Sequence, residues 1–191
     1  MAQAAQEVRG SEGVTLPEAG TYALETSHTS VEFVARHMLS KVRGRFAEFE
    51  GTVVVGDPVE ASSVAVEIKA GTISTGDERR DGHLKGDDFL TVDRYPALSF
   101  KSTAVRSTGG ANFELDGDLT IKDITKPVTL KGEYLGFGPG MQGEQRLFAS
   151  ASTTIDREDW DLTWNVAVET GGLLVGKKVE IVLDVEAVKQ S

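Results

Sequence analysis

The sequence contains no cysteine. That absence excludes disulfide frameworks, thiol nucleophiles, iron–sulfur clusters and zinc–thiolate sites together. Long apolar runs are missing too: no window comes near the roughly 20 consecutive apolar residues that a membrane-spanning helix needs. The opening MAQAAQEVRGSEGVTLPEAG lacks a basic start followed by an apolar stretch, the pattern of a secretory signal. It reads as a flexible tail over 1–20, and the expected compartment is cytoplasmic. Basic charge is scarce, with 20 Lys and Arg against 30 Asp and Glu for a formal net charge of −10. The summed field repels phosphate backbones and anionic membrane surfaces, which argues against nucleic acid as a partner. Helical periodicity is nearly absent. What remains of the 191 residues suffices for one domain with a continuous core, expected over 21–191.

From Thr21 onward apolar residues recur with period two, the signature of strands with one buried and one wetted face. The clearest run puts Phe113, Leu115, Gly117, Leu119 and Ile121 on one face, and Glu114, Asp116, Asp118 and Thr120 on the other. Similar runs hold Val31 to His37, Val64 to Ala70, Leu98 to Ala104, Leu147 to Ile155 and Val179 to Val185. With Phe49 to Val55 and Val128 to Tyr134 they predict about eight strands. Turn residues separate them at Gly56-Asp57-Pro58, Gly109 to Asn112 and Gly136 to Gly143. Thr75 to Tyr95 breaks the rhythm. It is charged and predicts a short helical lid, capped by Asp77 or Asp81 and ended at Tyr95-Pro96. Such strands build either a closed barrel or a two-sheet sandwich. Small residues on the proposed inner faces (Ala35, Gly51, Ala70, Ala104, Gly117, Gly132, Ala149, Ala151) favour a barrel with room inside, although glycines also mark bulges and bends.

Motifs that would carry chemistry are weak. Gly138 to Gly143 satisfies GxGxxG, but a dinucleotide site needs those glycines between a strand and a helix, and here they join two strands. Gly171 to Lys177 reads GxxxxGK, yet Lys178 stands where a Ser or Thr should ligate magnesium. His28, His37 and His83 match no metal-ligand spacing. By alternation His37 shares a face with Val31 and Phe33 and needs a partner: a backbone or carboxylate group at the barrel rim, a ligand head group, or a metal. Arg79 to His83 reads either as an internal lid network or as a basic collar for an anionic head group. No GxSxG elbow is present, and the carboxylate pairs Asp87-Asp88 and Glu158-Asp159 read as solvated loops. Trp160 reads as a barrel plug and Trp164 and Phe89 as plug or ligand contacts.

Four stretches in this order, VEFVARHMLSKVRGRF, DERRDGHLKGDDFLTVDRYPALSFKS, DGDLTIKDITKPVTLKG and DREDWDLTWN, resemble the YceI-like family, over Thr21 to about Lys189. The chain differs at Asp159-Trp160-Asp161, where many relatives read aspartate, aromatic, glycine. The resemblance implies an all-β, antiparallel, lipocalin-like barrel. It also implies non-catalytic binding of a long-chain amphiphile (polyisoprenoid, quinone or fatty-acyl-like lipid) for transport, storage or sequestration. The rivals are an enzyme acting on such an amphiphile and a filled-barrel interaction module. Neither cofactor nor metal is implied, and a homodimer is left open. The expected ligand-binding residues are Phe33, Ala35, His37, Val66, Ile68, Phe100, Phe113, Leu115, Leu119, Leu130, Tyr134 and Ala151, with Phe89 and Trp164 from the irregular segments.

Overall fold

The computed structural model describes residues 14–167 and 172–191. Residues 1–13 of the expected tail, and Gly171 of the GxxxxGK motif, lie outside the described residues. The strands are β1 (Gly20–Leu24), β2 (Ser30–His37), β3 (Ser40–Phe46), β4 (Phe49–Val55), β5 (Ser63–Lys69), β6 (Ile73–Ser74), β7 (Ala97–Gly109), β8 (Asn112–Ile121), β9 (Ile124–Pro139), β10 (Gln145–Asp156) and β11 (Val175–Lys189). One helix, α1 (Glu78–Lys85), falls between β6 and β7.

β1, β4, β5, β7, β8, β9, β10 and β11 lie side by side in that order, and β11 pairs back onto β1 with Tyr22 opposite Lys189. The sheet therefore closes into an eight-stranded antiparallel barrel, and the sandwich alternative is excluded. β11 is long enough to pair with β1 through Ala187 to Lys189 and, on the same edge, with β2 through Val175 to Asp184. β1 and β2 are thus one wall strand interrupted at 25–29, and β3 and β4 are a second interrupted at 47–48. The first break is tied down where the Thr29 hydroxyl donates to the Glu186 carbonyl (2.9 Å). In β8 the alternation is plain, with Leu115, Gly117, Leu119 and Ile121 buried and Asp118 exposed.

At one end of the barrel lie the loops 56–62, 110–111 and 140–144 and the segment before β1. The other end is sealed. Trp160 is buried there, and its indole N–H donates to the Leu119 carbonyl (3.1 Å), with Leu90 and Leu162 buried in the same apolar cluster. Asp77 caps α1 by accepting from the Arg80 N–H (3.0 Å). Asp81, the other cap candidate, instead accepts from the N–H (2.7 Å) and hydroxyl (2.6 Å) of Thr75. Arg157 is buried and, among the described residues, has no carboxylate partner. Its guanidinium donates to the carbonyls of Gly176 (3.0 Å), Val175 (3.4 Å) and Leu162, stitching the start of β11 to the loop after Trp160, and burial holds its pKa down. Asp161 takes a left-handed φ of 56°. That conformation costs glycine nothing and aspartate little, which accounts for the glycine at this point in the family pattern.

Candidate functional site

The barrel encloses a cavity of about 290 Å³ whose walls are almost wholly apolar. Its volume is close to the roughly 300 Å³ at which small-molecule sites begin. Of the expected contacts, Phe33 on β2, Val66 and Ile68 on β5, Phe100 on β7, Phe113, Leu115 and Leu119 on β8, Leu130 and Tyr134 on β9, and Ala151 on β10 all line it. Val14, Leu16 and Pro17, placed in the tail by sequence reading, and Val59 and Ala111 line its loop end. These five were missed because mouth residues sit in loops, where no strand alternation marks them. Polar lining residues Ser62, Ser107 and Asn112 lie at the same end, whereas the opposite end is floored by Ile68, Leu98, Leu119 and Ile121.

Four expected contacts do not line the cavity. Ala35 and His37 lie too far along β2, past the floor. His37, expected to point inward and need a partner, is partly exposed at the strand end beside Ser40 and Val175, so solvent reaches it. Phe89 and Trp164 pack together beyond the sealed end (ring centroids 5.5 Å apart), with the His83 ring edge-on to both at 5.1 and 4.5 Å. His83 Nε2 is also 2.8 Å from Asp88, which makes this an internal network. No residue of Thr75 to Tyr95 reaches the cavity, so the expected lid is a tied-down plug at the end opposite the open loops.

Of the small residues expected inside, Ala149 and Ala151 line the cavity, but the inner glycines act differently. Gly44, Gly117 and Gly132 do not leave empty space. Each lies under a phenyl ring from the neighbouring strand, namely Phe33, Phe100 and Phe113, and a Cβ at any of them would fall inside the ring's van der Waals surface. The glycines let three rings lie flat against the barrel wall, and the free volume is what remains in front of the rings. Gly51 is likewise hemmed in, by Leu24, Ala65 and Val66.

Near the mouth, the Tyr22 hydroxyl donates to either the Glu18 carbonyl (2.8 Å) or Gln145 Oε1 (2.9 Å), and burial, helped by Glu18, pushes its pKa up to about 12. The neighbouring Tyr134 hydroxyl is enclosed and, among the described residues, makes no hydrogen bond; burial pushes its pKa up further. Gly138 to Gly143 joins β9 to β10 with no helix following, so it cannot cradle a pyrophosphate. Among the described residues no three His, Cys, Asp or Glu converge on a common point.

A closed eight-stranded antiparallel barrel, sealed at one end around an apolar cavity, defines a lipocalin-like protein. The chain belongs to the YceI-like family, whose domain matches residues 22–187. It is 35% identical over 163 residues to a UPF0312 protein of Staphylococcus aureus strain N315, covering 83% of this chain and 92% of that one. A UPF0312 protein of Pseudomonas putida strain W619 is 33% identical over 168 residues, covering 87% and 84%. The same fold occurs in BcnA of Burkholderia cenocepacia (TM-score 0.72, 21% identity, 85% of this chain and 98% of that one). It occurs also in a polyisoprenoid-binding domain from Saccharophagus degradans (TM-score 0.67, 11% identity, 91% and 100%).

Proposed function

We propose that this protein binds the tail of a long-chain amphiphile, of the polyisoprenoid, quinone or fatty-acyl class, inside the barrel and does not chemically alter it. The observation that carries the reading is the apolar cavity, floored at one end and lined at the other by loops and the Val14 to Pro17 segment. Each methylene moved from water into such a cavity contributes about 0.8 kcal/mol, so a tail of ten carbons gains roughly 8 kcal/mol before association costs. Ser62, Ser107 and Asn112, polar lining residues at the mouth, support a polar head held there. Among the described residues no histidine lines the cavity and Glu32 is the one carboxylate, alternating with the inward-facing Phe33, so this lining offers no nucleophile held by a base and an orienting group. The Saccharophagus domain, described as binding polyisoprenoids, supports the same ligand class.

The test is organic extraction of protein purified from its native host, followed by mass spectrometry, with titration of delipidated protein by a polyprenyl phosphate, an alkyl quinone and a fatty acid. A recovered amphiphile, returned intact after incubation, is the expected result. Clean protein that also refuses all three probes would sink the reading, and a chemically altered probe would replace it with an enzyme.

A further inference from the structure

The outer face of the β2–β3 hairpin carries a concentration of positive charge with no internal use. Strand pairing sets Arg36 opposite Lys41, Val34 opposite Arg43 and Glu32 opposite Arg45, all on the face away from the inward-pointing Phe33. Among the described residues none of the side chains of Arg36, Lys41, Arg43 and Arg45 makes an ion pair or hydrogen bond. Most of the other described cations do, including Lys69 with Glu48 and Lys177 with Glu158. Among the described residues, strand pairing brings two acids to this face, Glu32 and, on β11 opposite Val34, Glu180. Like charges placed directly opposite each other, as Arg36 and Lys41 are, destabilise a strand pair.

The hairpin ends in exposed apolar side chains. Met38 and Leu39 form the turn and are 49% and 94% exposed. The Met38 N–H donates to the Leu174 carbonyl (2.8 Å), and the Leu174 N–H donates to Val166 (2.9 Å). This draws in Leu173 and Val166, themselves 50% and 47% exposed. β3 is also a sheet edge, since it meets β6 only at Arg45 and Phe46. Edges are commonly guarded by charge. A basic guard would account for the charge, but it leaves the apolar tip unexplained.

We infer that the β2–β3 hairpin is a docking surface for an anionic lipid bilayer: the tip residues enter the interfacial layer while Arg36, Lys41, Arg43 and Arg45 meet lipid phosphates. An apolar wedge beside a cationic collar is the arrangement that interfacial binding selects. A nucleic acid would use the cations and have no use for Leu39 or Leu173. The net charge of −10 does not prevent docking, because at physiological salt charges more than about 8 Å away are largely screened and the local cations dominate. This surface lies at the end of the barrel away from the open loops and does not depend on what the cavity holds.

The experiment is flotation of the full chain with vesicles of phosphatidylcholine alone or mixed with phosphatidylglycerol, at low and high salt. Alongside the native chain run Met38→Ser/Leu39→Ser, Lys41→Glu/Arg43→Glu, and Met141→Ser as a control at the other end, where Met141 is fully exposed. Binding to the phosphatidylglycerol vesicles, weakened by salt, is expected, with each double variant reducing it about tenfold or more and the control leaving it unchanged. Thermal melts matching the native chain show that the variants fold. The inference is overturned by no binding to the anionic vesicles, by equal binding to the neutral ones, by double variants that bind like the native chain, or by single-stranded DNA binding in place of vesicle binding.

Discussion

At the scale of single residues, polar groups near the barrel wall decide two measurable properties. Among the described residues the enclosed Tyr134 hydroxyl lacks a partner, and an orphaned buried donor costs about 1–3 kcal/mol. Tyr134→Phe removes the orphan at nearly constant volume. It should leave the melting temperature unchanged or raise it, and a clear drop in calorimetry would mean that the hydroxyl bonds a group after all. On the outer face of β7 and β8, Arg106 donates to Asp116 and to Glu114 (3.0 Å), and the Thr129 hydroxyl donates to Asp116 (2.6 Å). The guanidinium, with the Thr129 hydroxyl, holds the Asp116 carboxyl down to about 2, against about 3.9 for a free aspartate. A depressed carboxylate stabilises the fold above its unfolded pKa and loses that contribution as pH falls through the folded value. Asp116→Asn should therefore melt below the native protein at neutral pH, and the gap should close between about pH 4 and pH 2. Melts across that range test it, and a gap independent of pH would show that Asp116 acts by shape alone.

At the scale of elements, the pairing of inner glycines with phenyl rings is what gives the wall its smooth inner surface. Gly132 is directly opposite Phe113 across β8 and β9, and the ring lies over it. Gly132→Ala would drive that ring off the wall and into the cavity. Because the ring has free volume to move into, the stability loss should be at the lower end of the roughly 1–3 kcal/mol seen for overpacking. Binding of a long-chain probe should weaken markedly more than the melt shifts, and the reverse ranking would place Phe113 in a packed core. This pairing also shows what the sequence could and could not reveal. Alternation in runs such as Phe113 to Ile121 made the strands legible, because one face must be dry and the other wet. β3 was not legible, since its inner positions read Val42, Gly44 and Phe46 and a glycine carries no apolar signal. That Gly44 serves Phe33 is a cross-strand fact that no local pattern encodes. The charged Thr75 to Tyr95 segment was legible as a short helix because it breaks the strand alternation and offers a cap at Asp77 or Asp81, of which Asp77 serves. Which end of the barrel it covers depends on topology, so neither the burial of Phe89 and Leu90 nor the distance of Trp164 from the cavity could be read from spacing.

At the scale of the whole molecule, closing the sheet through β1 and β11 removes both edges of the barrel and leaves an interior to be shared between side chains and free volume. How it is shared can be tested at one position. Ala151 on β10 lines the cavity, between Gly132 on β9 and Leu183 on β11. In an interior packed to crystal-like density, a phenyl ring added there would strain its neighbours by about 1–3 kcal/mol. A drop of about 2–12 °C in the melting temperature of a chain this size would follow. In front of Ala151, however, the barrel holds the cavity, so the ring of Ala151→Phe has somewhere to go and buries its own apolar surface in doing so. The melt should stay close to the native value or rise. Affinity for an alkyl quinone or fatty-acid probe should fall at least about tenfold, since each methylene displaced from the cavity forfeits about 0.8 kcal/mol. Calorimetry and titration on the same sample separate the outcomes: strong destabilisation with binding retained would mean that the interior around Ala151 is packed and that any ligand lies elsewhere.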